Sequence, residues 1–112
     1  MKVARSRAKN RNRIGIIKEI LSLLNESPQA RTHIMYKANL AYPQACEYLN
    51  DLIAKGLISG GKPESLDLPA NMEVRTTYYY IITTKGKHML DRLTEFSELL
   101  DAVDEKSTEL IA

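Results

Sequence analysis

Apolar residues recur at helical spacing near the start of the chain. Between residues 13 and 25 they fall three or four positions apart, with further members widening the same stripe: Ile14, Ile16, Ile17, Ile20, Leu21, Leu23 and Leu24. This spacing predicts an amphipathic helix packed on a core. Asn10 or Asn12 can cap its start, and Ser27-Pro28 ends it.

Two shorter helices are predicted next, separated by a tight turn. The first covers Thr32 to Ala38 and ends at Asn39-Leu40. The second starts at Pro43, which suits the first helical position, and runs to Lys55 before Gly56. Its predicted inward face holds Ala45, Cys46, Leu49, Leu52 and Ile53.

After Gly56 the pattern of apolar residues changes from helical spacing to that of β-strands. Leu57 to Ser59 is a short strand candidate, residues 60–76 are rich in glycine and proline, and Thr77 to Thr83 is β-branched and aromatic. We expect the two strands to form an antiparallel hairpin. Thr83 or Thr84 can cap a final helix that runs to about Glu105.

Three helices, a hairpin and a last helix make a mainly helical α+β chain with a winged helix-turn-helix. The expected division is a basic arm over residues 1–12, a DNA-binding domain over 13–83, a dimerisation helix over 84–106 and a tail over 107–112. No apolar run reaches the about 20 residues of a membrane span.

Two segments carry a family resemblance. Residues 31–58 read RTHIMYKANLAYPQACEYLNDLIAKGLI, and residues 79–90 read YYIITTKGKHML. Together they resemble the archaeal winged-helix transcriptional regulators, a group that includes ten-kilodalton DNA-binding proteins dimerising through a C-terminal coiled coil. Ala41 departs from the family, which often has serine before the tyrosine that opens the recognition helix.

The last helix carries an apolar seam with steps of 4, 3, 4 and 3: Met89, Leu93, Phe96, Leu100 and Val103. This is the heptad spacing of a coiled coil, so a homodimer is expected, and the resemblance implies antiparallel pairing. Leu90 and Leu99 lie off the seam and are expected to face the domain. The alternative is that the seam packs on the chain's own helices.

Charge is divided between the two ends of the chain. Residues 1–18 hold seven positive and no negative side chains, whereas residues 91–112 hold seven negative and two positive ones. A basic arm attracts phosphate independently of sequence by releasing counterions. The alternative interpretation is a solvated tail that keeps the protein soluble.

The third helix is the predicted DNA reader. Gln44, Glu47, Tyr48 and Asp51 are expected on its outer face, where Gln44 can pair with adenine and Glu47 with cytosine. Asp51 is expected to repel phosphate. The alternative is a polar, solvated face. The other predicted DNA contacts are Tyr42 and the cations Arg5, Arg7, Lys9, Arg11, Arg13, Arg31, Lys37, Lys62 and Arg75.

These features predict a dimeric protein that binds double-stranded DNA, as a transcriptional regulator or a chromatin-type organiser. The alternative is a winged helix used for protein–protein contact in a transcription or replication assembly. The lone Cys46 fits a reducing, intracellular setting, and with DNA binding the expected location is cytoplasmic and nucleoid-associated. We expect neither cofactor, metal nor enzymatic activity, since no phosphate loop, metal-ligand spacing or nucleophile–base pair is evident.

Overall fold

The computed structural model describes residues 12–111, with side chains from residue 12 to residue 100. Within that range, four helices and a two-stranded antiparallel sheet follow in the predicted order. They are α1 (Arg13–Glu26), α2 (Arg31–Ala38), α3 (Tyr42–Ala54), β1 (Ile58–Gly61), β2 (Tyr79–Ile82) and α4 (Thr84–Ile111), with a short 3₁₀ turn at Pro63–Ser65. The predicted winged-helix arrangement is confirmed.

The core lies where α1 packs against α2, β2 and α4, with α3 packed on α2 and β1. Its largest fully buried side chains are Ile20, Leu21, Ile34, Leu49, Leu52 and Ile58. Burying each of them contributes about 1.5–3 kcal/mol relative to leaving it exposed. Asn12 caps α1, because its side-chain oxygen accepts from the backbone N–H of Gly15 at 2.7 Å.

The turn between α2 and α3 needs no glycine because Asn39 takes the left-handed conformation, with φ of 57°. The N–H groups of Asn39 and Leu40 then bond back to the carbonyls of Tyr36 and Met35, at 3.3 and 2.9 Å. This Schellman arrangement satisfies carbonyls that a helix end leaves unpaired. The end of α3 has the same Schellman arrangement, in which Gly56 takes the left-handed conformation with φ of 76°.

The hairpin forms in the predicted order but with shifted ends. Ile58 pairs with Ile82, and Gly61 pairs with Tyr79. Gln29, predicted to lie in a connecting loop, adds a bridge to β2 through two backbone hydrogen bonds with Tyr80, at 2.8 and 3.1 Å. The connection between α1 and α2 is therefore tied to the wing.

The start of α4 is fixed against the end of α3. Thr83 caps α4 by accepting from the N–H of Gly86 at 3.0 Å, and its hydroxyl donates to the carbonyl of Gly56 at 2.7 Å. Gly86 is buried, and a β-carbon there would collide with the carbonyl oxygen of Leu57. Glycine is required at this position because the two backbones approach closely.

Four local expectations are corrected. Ile53 was expected inward but is 37% exposed, and Leu99 was expected to face the domain but is 64% exposed. Ile53 lies at the edge of the apolar stripe of α3, whereas Leu99 follows the buried Leu90 by nine residues and so lies on the opposite side of α4. Pro43 is the second residue of α3, after Tyr42. The last helix continues past Glu105 to Ile111.

Candidate nucleic-acid interface

The buried side of α3 determines which residues it presents outward. Ala45, Leu49 and Leu52 are fully buried. A helix turns by about 100° per residue, so the residues about half a turn away form the opposite side. These are Pro43, Glu47, Asn50 and Ala54, and all four are exposed. We call them the outward face of α3.

Of the four residues expected on the outer face of the third helix, only Glu47 lies on the outward face of α3. Gln44, Tyr48 and Asp51 lie on the flank of α3 that faces the start of α1. The prediction placed Cys46 and Ile53 in the inward stripe, which turned the expected outer face away from Asn50. Cys46 is half-buried and Ile53 is exposed, so neither defines the core side. A stripe of Ala45, Leu49 and Leu52 alone would have placed Asn50 on the expected outer face.

Gln44 has a structural contact at the start of α3. Its side-chain oxygen accepts from the backbone N–H of Ala41 at 3.2 Å. Ala41 is the N-cap residue and has no side-chain oxygen to return a bond, so the pair forms half of a capping box. The amide of Gln44, although exposed, is thus engaged within the helix terminus.

A group of charged side chains lies on the flank of α3 that faces the start of α1. Arg13 lies over the ring of Tyr48, at 5.1 Å from its centroid, and pairs with the carboxylate of Asp51 at 2.6 Å. Lys55 bonds the same carboxylate oxygen at 2.7 Å. The hydrogen bond from Lys55, and then the one from Arg13, hold the pKa of Asp51 below its usual range. We call these four residues the Asp51 cluster.

Arg31 lies on the other flank and is held by tyrosines. Its guanidinium lies 5.5 Å from the ring centroid of Tyr42 and donates to the hydroxyls of Tyr42 and Tyr80, at 3.1 and 3.5 Å. The hydrogen bond with Tyr80 is the largest cause that raises the pKa of Arg31. Its Nε atom is buried without a hydrogen-bond partner. We call these three residues the Arg31 cluster.

The remaining predicted cations within the described range are exposed. Lys37 lies in the last turn of α2, and Lys62 precedes the 3₁₀ turn of the wing. Arg75 pairs with Glu73 at 3.0 Å, and both side chains are about three-quarters exposed. Such a pair contributes little, about 0–1 kcal/mol. Arg5, Arg7, Lys9 and Arg11 lie outside the described residues.

The seam of α4 has an inner and an outer part. Leu93 packs against the core, and Leu90 is buried. Phe96 and Leu100 are 54% and 48% exposed. A cleft of about 240 Å³ between α1 and α4 is lined by apolar side chains that include Ile14 and Met89. The side chain of Val103 lies outside the described range.

Neither a metal site nor a membrane span is found in the described part of the chain. No group of three or more His, Cys, Asp or Glu side chains there could hold a metal ion. Within residues 12–111, no helix is both long and apolar enough to cross a membrane.

The fold and the exposed second helix of a helix-turn-helix define the class of protein. The chain belongs to the winged helix-turn-helix family, whose model matches residues 10–101. Among individual proteins, it is 29% identical over 98 residues to an uncharacterized protein of Methanocaldococcus jannaschii, a match that covers 88% of this chain and 86% of the other.

Two solved structures from Sulfolobus solfataricus resemble this chain along most of its length. The DNA-binding protein Sso10a-2 is 27% identical, with 91% of this chain and 98% of that chain covered and a TM-score of 0.66. The transcriptional regulator BldR is 19% identical, with 96% and 88% covered and a TM-score of 0.63. The similarity to BldR concerns the fold alone.

Proposed function

We propose that this protein binds double-stranded DNA as a homodimer, acting as a transcriptional regulator or as a chromatin-type organiser. The observation that carries this proposal is the exposed outward face of α3, with Arg31 held beside it by uncharged partners. The similarity to Sso10a-2, which is a DNA-binding protein, supports the same function.

The positions of the cations fit the way a helix-turn-helix docks. The second helix of the motif enters the major groove, while the first crosses the phosphate backbone. In this chain α3 is the second helix, and α2 carries Arg31 in its first turn and Lys37 in its last. Phosphate contacts from these two residues would orient α3 without specifying sequence. Tyr42, Lys62 and Arg75 are further proposed contacts.

The basic arm is proposed as a second source of phosphate contacts. Arg13 begins α1 and pairs with Asp51 of α3, so residues 1–12 precede a point that lies beside the proposed reader. We propose residues 13–83 as the DNA-binding domain, 84–106 as the dimerisation helix and 107–112 as a tail.

The proposed dimer uses the outer part of the α4 seam. Phe96 and Leu100 place large apolar side chains in water, and exposed apolar surface of this kind marks interaction sites when it is continuous. A second copy of the chain offers the same heptad spacing. Antiparallel pairing would bring the acidic end of each α4 towards Lys85 and Lys87 of the other copy.

The test of DNA binding is a salt titration on random duplex. We expect the full chain to bind, and deletion of residues 1–11 to leave the Asn12 cap intact. If about three arm cations per subunit contact phosphate, the deletion makes the slope of log K against log salt shallower by about 5 in a dimer. Failure of the full chain to bind duplex at low salt would refute the proposal.

The test of the dimer is sedimentation equilibrium. A buried, unpaired carboxylate costs several kcal/mol, so Phe96→Asp is expected to give monomers. Leu93→Asp is less suitable because Leu93 packs in the subunit's own core. Leu99→Asp is the matched control, since it makes the same change on the same helix but off the seam. Wild-type protein that is monomeric at about 100 μM would contradict the proposed dimer.

The acidic residues near α3 favour a second candidate function, a protein–protein contact module. Glu47 lies on the outward face, and the wing carries Glu64, Asp67 and Glu73 against two cations. These carboxylates would repel phosphate. A protein that stays dimeric but fails to bind duplex at low salt would favour this function.

A further inference from the structure

The outward face of α3 offers few groups that can read a base. Pro43 has no side-chain hydrogen-bonding group, and Ala54 has only a methyl group. Glu47 can only accept hydrogen bonds when ionised, whereas the side-chain amide of Asn50 both donates and accepts. Asn50 is therefore the single side chain on this face that can form a bidentate contact with a base edge.

We propose that Asn50, rather than Gln44, is the base-specifying residue of α3, and that its base is adenine. This inference rests on the proposed binding of duplex DNA. An asparagine amide matches the N6 donor and N7 acceptor of adenine in the major groove. Gln44 has the same chemistry, but its oxygen is bonded to the N–H of Ala41, and it lies off the outward face.

The place of Asn50 in the third turn of α3 is compatible with reading. The first turn offers no complete donor–acceptor pair, because the Tyr42 ring and hydroxyl hold Arg31, Pro43 lacks a donor and the Gln44 oxygen accepts from Ala41. The first polar groups of the outward face are therefore Glu47 and Asn50. In helix-turn-helix repressors the N-terminal residues of the recognition helix contact base edges, whereas the homeodomain reads through residues spread over two turns of its third helix.

The composition of α3 limits which bases it can select. The helix holds neither lysine nor arginine, the residues that bind the two acceptors of guanine. The remaining outward groups are the Glu47 carboxylate, which can accept from cytosine N4, and the Ala54 methyl group, which can contact a thymine methyl. The selected site is thus expected to contain an adenine whose replacement by guanine is rejected.

The experiment begins by selecting preferred duplexes with wild-type protein from a random pool. Asn50→Ala is then compared with wild type on the selected site and on single-base variants. We expect it to lose about 5- to 150-fold of the discrimination for one adenine, the range for one bidentate pair. Affinity for random duplex and the salt slope should stay unchanged, because Asn50 contacts no phosphate in this arrangement.

Gln44→Ala is the matched control. We expect it to lower the melting temperature through loss of the cap contact while keeping the base preference. Asn50→Ala should fold as wild type does, since the site is exposed and alanine is the better helix former. Loss of preference in Gln44→Ala, with none in Asn50→Ala, would overturn the inference.

A modified base makes the assignment specific. Duplex with 7-deazaadenine at the selected position lacks the N7 acceptor, so wild type should lose affinity on it, whereas Asn50→Ala should bind the modified and unmodified duplexes equally well. Equal losses in both proteins would overturn the inference, as would a wild type that binds duplex without base preference. In both cases DNA binding itself stands. A wild type that binds no duplex refutes the proposed function instead.

Discussion

Two arginines flank α3, and each lies over a tyrosine ring. Arg13 is 5.1 Å from the ring centroid of Tyr48, and Arg31 is 5.5 Å from that of Tyr42. Their hydrogen-bond partners differ. Arg13 bonds the Asp51 carboxylate, whereas Arg31 bonds the hydroxyls of Tyr42 and Tyr80.

This difference in partners determines which of the two guanidinium groups is available to contact a DNA phosphate. A carboxylate at 2.6 Å offsets much of the guanidinium charge of Arg13, although salt and solvent weaken such a pair at the surface. Tyrosine hydroxyls hold Arg31 in place, and no carboxylate among the described side chains, residues 12–100, forms an ion pair with it. We infer that the two flanks serve DNA unequally, with the Arg31 cluster ready for phosphate and the Asp51 cluster requiring an exchange of partners.

Replacement of Arg31 should have the largest effect. We expect Arg31→Ala to lower affinity for random duplex by about 10- to 100-fold, because a hydrogen bond to a charged group contributes about 1.5–3 kcal/mol. Fluorescence anisotropy measures the loss. Arg31→Lys is the matched control, which keeps the charge without the planar fork and should lose less. A folded Arg31→Ala protein with wild-type affinity would show that this flank does not contact DNA.

Replacement of Asp51, the carboxylate of the Asp51 cluster, should increase the affinity for duplex DNA. Asp51→Asn frees Arg13 and Lys55, so the slope of log K against log salt should steepen by about 0.9 for each cation that moves to a phosphate. At physiological salt we expect a gain in affinity of less than about tenfold. Asp91→Asn on α4 is the matched control for net charge. An equal gain in the two variants would attribute the effect to net charge alone.

The sequence predicts the order of elements because each apolar stripe has a clear period. It also places Asn39 at a break, where the left-handed backbone that asparagine tolerates completes the turn. The bridge between Gln29 and Tyr80 was not predictable in the same way. It depends on backbone groups alone, so the side-chain pattern of residues 27–30 contains no sign of it.

The candidate site was predicted less completely than the fold. Asp51 was expected to repel phosphate, but its pairing with Arg13 joins residues 38 positions apart and becomes evident only once α1 and α3 are packed. The contact of Gln44 with Ala41 is local and fits the capping pattern, yet an expected role in reading DNA obscured it. Asn50 was not among the predicted contacts because Cys46 and Ile53 widened the assumed core stripe.

The pH dependence of stability should distinguish the two flanks as well. Because the pKa of Asp51 is lower in the folded chain, its contribution to stability is present above the unfolded pKa and is lost as pH falls through the folded one. The difference in unfolding free energy between wild type and Asp51→Asn should therefore shrink below about pH 4. Urea melts at several pH values measure it, and a difference that persists in acid would contradict the ion pair.

The smallest effect is expected for Arg13, and it should depend on Asp51. In the wild type, Arg13→Ala removes a charge that is already paired, and Lys55 stays on the carboxylate, so affinity should fall by less than about threefold. In the Asp51→Asn background Arg13 is free to reach phosphate, and its loss should reduce the salt slope by about 0.9 per subunit. A double-mutant cycle on random duplex measures this coupling. If Arg13→Ala has the same effect in both backgrounds, the carboxylate does not restrain Arg13, and the two flanks of α3 are equivalent towards DNA.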